Sequence, residues 1–270
     1  MIDLPVRDMA DFGRWCGERG PLSPEENERV FRQIYAAGPR RALRRPLIKY
    51  GLEKLRVLDV GCDYGQALIH FGPGSMGLEV HAAAAAFGRT IGLPIVPGDL
   101  FDEAVFGRFP AGGFDAAWVY AVLEHLSAPH TALMLIRSRL TDGGLLLVGL
   151  PLMPICRVFE PGARFLNRLV HGRAAPMSYT SADHVGAFTP KTIRFMLERA
   201  GFEVIEQAAF VSARPWVNRA YNLLAGPARD AIVTIGRKRA GWDYPPGATR
   251  RLTAAGWEFR TDYTDRPGSD

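Results

Sequence analysis

The sequence predicts an α/β fold in which a mostly parallel sheet carries helices on both faces. Three observations lead there. From residue 56 onward, short runs rich in Val, Leu and Ile alternate with segments of helical spacing, the pattern of repeated strand–helix units. Residues 145–150 are apolar almost throughout rather than at alternate positions, as in strands covered from both sides. Glycine-containing turns such as Asp142-Gly143-Gly144 separate the two kinds of segment.

Taken in order, residues 1–22 carry no clear period. Ser23-Pro24-Glu25-Glu26 is a helix start, with an N-cap, a proline at the first helical position and a carboxylate three residues after the cap. Val30, Phe31, Ile34 and Tyr35 continue it at helical spacing, and Gly38-Pro39 ends it. Residues 40–50 form a second, basic helical segment. Strands are expected at 56–60, 76–80, 94–97, 114–119 and 145–150, with an alanine-rich helix after the second and a helix at 129–140 before the fifth. Residues 151–188, rich in Pro, Gly and Arg, have no period and read as an insertion. Thr189-Pro190 opens another helix with Ile193, Met196, Leu197 and Ala200 on one face. A sixth strand at 202–210, an amphipathic connection at 213–226 and a seventh strand at 230–236 complete the pattern; the tail after residue 245 is expected to be loose. The expected division is an N-terminal helical cap (1–54), a core domain (55–238) with 151–188 as an inserted lid, and a C-terminal tail (239–270).

Of 270 residues, 47% are hydrophobic and 23% charged, which suits a soluble globular chain and excludes a fibrous or disordered one. No apolar run reaches the ~18 residues of a membrane span. Residues 145–155 come nearest, and Gly149, Pro151 and Pro154 interrupt them. Asp3 and Asp8 lie in an N-terminus without an apolar core, unlike a signal peptide, so a cytoplasmic location is expected. Cys16, Cys62 and Cys156 are dispersed and form no CxxC pair; free thiols are expected, and no metal site. The formal charge is +5. The basic stretch Arg40, Arg41, Arg44, Arg45 and Lys49 reads first as a solvated helix face and next as a contact for an anionic substrate. A nucleic-acid partner is not expected, because no accompanying RNA-binding module or aromatic platform is evident. Oligomeric state is left open.

In a sheet of this kind ligands sit outside the carboxyl ends of the strands, where the strand order reverses. Val57-Leu58-Asp59-Val60-Gly61-Cys62-Asp63-Tyr64-Gly65 takes the first strand into a tight turn. Gly61 and Gly65 allow close backbone approach to a ligand, and Asp59 can receive an ammonium group. A nicotinamide-cofactor fingerprint would read G-x-G-x-x-G. Gly61, Asp63 and Gln66 fit that poorly, and an aspartate would repel a pyrophosphate.

This segment resembles motif I of the class I S-adenosylmethionine-dependent methyltransferases, a strand ending in an acid followed by G-x-G-x-G, with Asp63 in place of the middle glycine. Further resemblances follow in order: Gly77-Leu78-Glu79, Gly98-Asp99-Leu100, Phe114-Asp115-Ala116-Ala117-Trp118 with Val122-Leu123-Glu124-His125-Leu126, and Leu140 to Leu147. Asp183-His184-Val185, Phe188-Thr189 and Ala200-Gly201-Phe202-Glu203-Val204 resemble the small-molecule branch. The resemblance implies a Rossmann-like, seven-stranded sheet and S-adenosylmethionine as cofactor. It places Asp59, Gly61, Asp63 and Gly65 at the methionine end, Glu79 on the ribose hydroxyls, Asp99 on the adenine amino group, and Leu100 and Tyr120 beside them.

The implied activity is methyl transfer to a small-molecule acceptor, with oxygen ahead of nitrogen or carbon. A methyltransferase-like binding protein without catalysis is the alternative, resting on Asp63. His125 and His184 are the candidate catalytic groups, His125 as a base and His184 as an acceptor-positioning group; His171, in the insertion, is a weaker candidate. Base-modifying enzymes often carry Asn/Asp-Pro-Pro-aromatic after the fourth strand, where this chain has Tyr120-Ala121-Val122-Leu123.

Overall fold

A computed structural model describes residues 8–151, 184–209, 216, 219, 220, 223, 231–243, 250–253 and 256–259. The first described element is a helix that the sequence pattern hides, α1 (Met9–Arg19). Asp8 caps it, accepting from the Ala10 and Asp11 N–H groups at 2.8 and 2.9 Å. Its two buried anchors, Phe12 and Cys16, are four residues apart; Gly13 and Gly17 between and after them dilute the apolar period. Gly13 has a packing reason, since a Cβ there would lie 2.9 Å from the Phe31 ring. α2 (Pro24–Val30) begins with the expected capping box of Ser23 and Glu26. It runs into a π-helical turn over Phe31–Tyr35. α3 (Arg41–Tyr50) ends at Gly51, whose φ of 63° lets the chain turn in the left-handed region.

The main sheet holds seven strands: β1 (Val57–Val60), β2 (Met76–Glu79), β3 (Ile95–Pro97), β4 (Phe114–Tyr120), β5 (Leu140–Pro151), β6 (Phe202–Ala208) and β7 (Ala231–Lys238). Their spatial order is β3-β2-β1-β4-β5-β7-β6. The pairs among the first five are parallel, and β7 runs antiparallel to both β5 and β6. The expected mostly parallel, Rossmann-like sheet is therefore present. Between the strands lie α4 (Ala82–Thr90), a short α5 (Glu103–Phe106) that has no counterpart in the sequence expectation, α6 (Pro129–Arg139) and α7 (Pro190–Arg199).

Two expected boundaries differ. Asp142-Gly143-Gly144 is not an exit turn but a bulge within β5: Leu140 pairs with Phe114 and Leu145 with Ala116. Gly143, at φ 76°, lets the chain loop out between those pairs. In the tail expected to be loose, β8 (Arg250–Thr253) pairs with β9 (Gly256–Phe259) as an antiparallel ribbon. Most of the 151–188 insertion and of the 213–226 connection lies outside the described residues.

Side chains alternate between two apolar layers. Leu58, Val60, Leu78, Ala117, Val119 and Val148 face one side and pack with Leu133 and Ile136 of α6 and Ile193 and Leu197 of α7. Val57, Ala116, Trp118, Leu147, Val233 and Ile235 face the other, where Phe12, Tyr35, Leu43 and Phe87 cover them. The N-terminal helices thus share a core with α4 and the sheet. Phe12 and Tyr35 meet edge to face at 5.1 Å. Glu206 of β6 ties α3 down from outside, accepting from Lys49 Nζ at 2.8 Å and from the Tyr50 hydroxyl. Among the described residues no helix is long and apolar enough to cross a membrane.

Candidate active site

The strand order reverses between β1 and β4, so the loops that follow these two strands open a crevice at the carboxyl edge of the sheet. Among the described residues, two non-glycine residues have positive φ, Asp63 at 52° and Ala121 at 55°. Both stand on these loops, where backbone strain is often stored for function.

The loop after β1 is fixed at both ends. The Gly61 and Cys62 N–H groups donate to the Leu78 carbonyl at 2.8 and 3.1 Å. Gly61 has φ 69°, and a Cβ there would lie 2.4 Å from Val122 Cγ2 on the opposite loop. Only glycine permits this approach. Gly65 is also left-handed, at φ 82°. Asp63 adopts the left-handed backbone that the middle glycine of the motif would take, a conformation aspartate tolerates better than most residues. Its N–H donates to Glu79 Oε2 at 2.7 Å. The departure from the motif therefore preserves the loop's shape.

Glu79 is buried at the end of β2, and its other oxygen accepts from the His81 N–H at 2.6 Å. It clamps the loop after β1 to the loop after β2, and each oxygen retains a lone pair for a further donor. Asp59 is buried as well, with Oδ2 lacking any partner among the described residues. Burial pushes its pKa up to about 8; the Arg40 charge opposes the rise, Glu79 and Asp63 add to it, and a backbone hydrogen bond from Leu68 opposes it. Asp99 is exposed, and its Oδ1 accepts from the Phe101 N–H at 2.9 Å. Leu100 is buried among Leu78 and Val96. Tyr120, at the end of β4, stacks on Trp118 with ring centroids 5.6 Å apart. Cys62 is buried, with its thiol pKa raised by desolvation, which marks it as a packed side chain rather than a nucleophile.

The amino-terminal helices contribute residues that the sequence did not single out for this place. The Tyr35 hydroxyl donates to the Tyr64 carbonyl at 2.6 Å. Arg40 Nε donates to Gln66 Oε1 at 2.6 Å, and its guanidinium carbon lies 5.7 Å from the Tyr120 ring centre. The basic stretch divides accordingly: Arg40 faces the crevice, whereas Arg45 and Lys49 pair with Glu206. The cluster of cations was the only sequence signal, and it did not distinguish them.

Beyond the crevice, His125 and His184 meet edge to face with ring centroids 4.7 Å apart. The Val185 and Gly186 N–H groups donate to the Glu124 carbonyl at 2.9 and 2.8 Å. These bonds tie the chain's return from the insertion to the loop after β4. The two histidines named separately from the sequence are thus neighbours, and the buried Glu124 joins them. His171 lies outside the described residues.

Strand order, acids at or next to the ends of the first and second strands and left-handed loop residues together define the class, a methyltransferase of the Rossmann-like α/β type. A family model described as a methyltransferase domain matches residues 27–207, and the chain belongs to that family. A chain of the Haloferax volcanii complex that contains the Trm112 methyltransferase activator is similar in fold, with TM-score 0.52 and 18% identity over 76% of this chain and 92% of that one. An S-adenosylmethionine-dependent methyltransferase from Archaeoglobus fulgidus aligns with TM-score 0.49 and 18% identity over 74% of this chain and 95% of that one. One from Mesorhizobium loti aligns with TM-score 0.47 and 18% identity over 72% and 96%. No curated protein matches the chain in sequence.

Proposed function

We propose that the protein transfers the methyl group of S-adenosylmethionine to an oxygen of a small-molecule acceptor. The chain's residues fit that cofactor. The buried Asp59 Oδ2, without a partner among the described residues, suits the ammonium of its methionine part. Gly61 and Gly65 give the backbone room to approach it, and Asp63 holds the loop between them. Glu79 keeps lone pairs for the ribose diol, Asp99 has its second oxygen for the adenine amino group, and Leu100 and Tyr120 flank the crevice. Arg40 is placed to meet the cofactor's carboxylate.

The bound sulfonium is already activated, so the protein's task is to align acceptor and donor and to exclude water. One observation supports the oxygen acceptor: two imidazoles meet edge to face, with ring centroids 4.7 Å apart, at the loop after β4. They are hydrogen-bonding groups of the kind that bind and orient a hydroxyl. Preservation of the loop by Asp63 favours this function over a non-catalytic binding role.

The test is incubation with methyl-labelled cofactor and fractionated cell extract, followed by mass spectrometry of the labelled product. Label on an oxygen of a small molecule is expected. Label confined to protein or nucleic acid, or on nitrogen or carbon, would refute the proposal.

A further inference from the structure

Glu124, His125 and His184 each offer one ligand atom, and these atoms lie within 4.8 Å of one another. We propose that the three residues bind a divalent transition-metal ion at the acceptor mouth. Donors bound at ~2.0–2.2 Å around one tetrahedral ion stand ~3.4 Å apart. Closure of the set therefore needs no pair of donors to approach by more than about 1.4 Å. The backbone frame for this is in place, because Val185 and Gly186 hold the strand of chain bearing His184 against the Glu124 carbonyl.

The chemistry of the donors selects the ion. Glu124 is 1% exposed, and a carboxylate is a hard, anionic donor that complements two neutral imidazoles around a divalent ion. Two imidazoles and one carboxylate suit Zn²⁺, Fe²⁺, Co²⁺ or Mn²⁺. Mg²⁺ and Ca²⁺ prefer all-oxygen sets. Three protein ligands also leave at least one position open, as in metal sites that engage a substrate.

The site stands on these three residues alone; its role in catalysis rests on the oxygen-acceptor proposal. An acceptor hydroxyl in the open position would be more acidic than a free one. It would release its proton to solvent. The oxygen–methyl bond would form as the sulfur–methyl bond breaks, and that bond's electron pair would remain on sulfur. In this arrangement the imidazoles orient the hydroxyl through the ion they hold, in place of direct hydrogen bonds, and do not take the proton.

The test uses the full chain, stripped with a chelator, dialysed and titrated with Co²⁺ while its visible d–d absorption is followed. Saturation at one ion per chain is expected, with displacement by Zn²⁺ and none by Mg²⁺. His125→Gln and His184→Gln should each weaken Co²⁺ binding at least tenfold while S-adenosylhomocysteine binding stays intact. Glu124→Gln is the harsher variant because its side chain is buried; the two histidine variants keep the test decisive if it does not fold. Absence of saturable uptake, or equal uptake by the wild type and both histidine variants, would overturn the site. Methyl transfer to oxygen undiminished after chelation would overturn its catalytic role. Metal uptake without any transfer to oxygen would instead count against the proposed acceptor and leave the site standing.

Discussion

Gly61→Ala puts the geometry of the crevice to a quantitative test. Gly61 sits at φ 69°, and its added methyl would lie 2.4 Å from Val122 Cγ2. Two penalties follow. Holding an alanine in the left-handed region costs ~1–2 kcal/mol. Forcing an extra carbon against a β-branched side chain, which has few rotamers to retreat into, costs ~1–3 kcal/mol. If the loop escapes by leaving its bound shape, the total of ~2–5 kcal/mol appears as a loss of about 30- to 5000-fold in affinity for S-adenosylhomocysteine. Isothermal titration calorimetry measures it. Val122→Ala in the same chain removes the clashing methyl and should restore the steric share, leaving a deficit of about five- to 30-fold from the backbone alone. Unchanged affinity in Gly61→Ala, or no recovery in the double variant, would refute the assignment of this contact as the wall of the cofactor site.

Asp63→Gly should alter S-adenosylhomocysteine affinity by less than about fivefold and stability by within ~1 kcal/mol, because the backbone shape is already that of a glycine; a wild type without binding and a glycine variant with it would show a disabled site. Glu79→Ala strips the acceptors from two loop N–H groups and from the ribose diol, and an affinity loss of about five- to 150-fold is expected by calorimetry; equal affinity would remove Glu79 from the site. Asp59 gives a pH dependence with a definite sign. Its pKa is about 8 folded against the ordinary 3.8, so between those values the folded chain holds a proton that the unfolded chain has lost. Its contribution therefore makes the cofactor-free protein less stable as pH rises from about 4 to about 8, and constant beyond. Urea denaturation at pH 5 and pH 8 should show that fall in the wild type and a smaller one in Asp59→Asn; equal falls in both would place the effect elsewhere.

The strands were readable because local sequence dictates them: a run such as 145–150 has one stable environment, the middle of a covered sheet. The acids were readable for a related reason. Asp59 stands one residue before the end of β1 and Glu79 ends β2, and a parallel sheet delivers all its strand ends to one edge. α1 was not readable, since two buried anchors in a helix carrying Gly13 and Gly17 give no period; the glycine is there to let Phe31 come close. The bulge at Gly143 reads as a turn in the sequence because a turn and a bulge use the same left-handed glycine. Arg40 and Glu124 were hidden for a different reason. Arg40 meets Gln66 across 26 residues of chain, and Glu124 meets His184 only because a chain segment far along the sequence returns to the loop after β4. Such meetings follow from packing, which no local pattern encodes.

The second apolar layer has a consequence for the timing of folding. Phe12 and Tyr35 lie in the same core as Val233 and Ile235 of β7, near the opposite end of the chain. During synthesis the amino-terminal helices leave the ribosome first, yet the surface they cover is not finished until the last strand of the sheet has been made and has slotted between β5 and β6. Contacts so distant in sequence form slowly. For most of its translation the nascent chain therefore carries an exposed apolar helical segment that has no completed partner. The hydroxyl of Tyr35 reaches the Tyr64 carbonyl, so the loop after β1 gains this tether only when the amino-terminal segment docks.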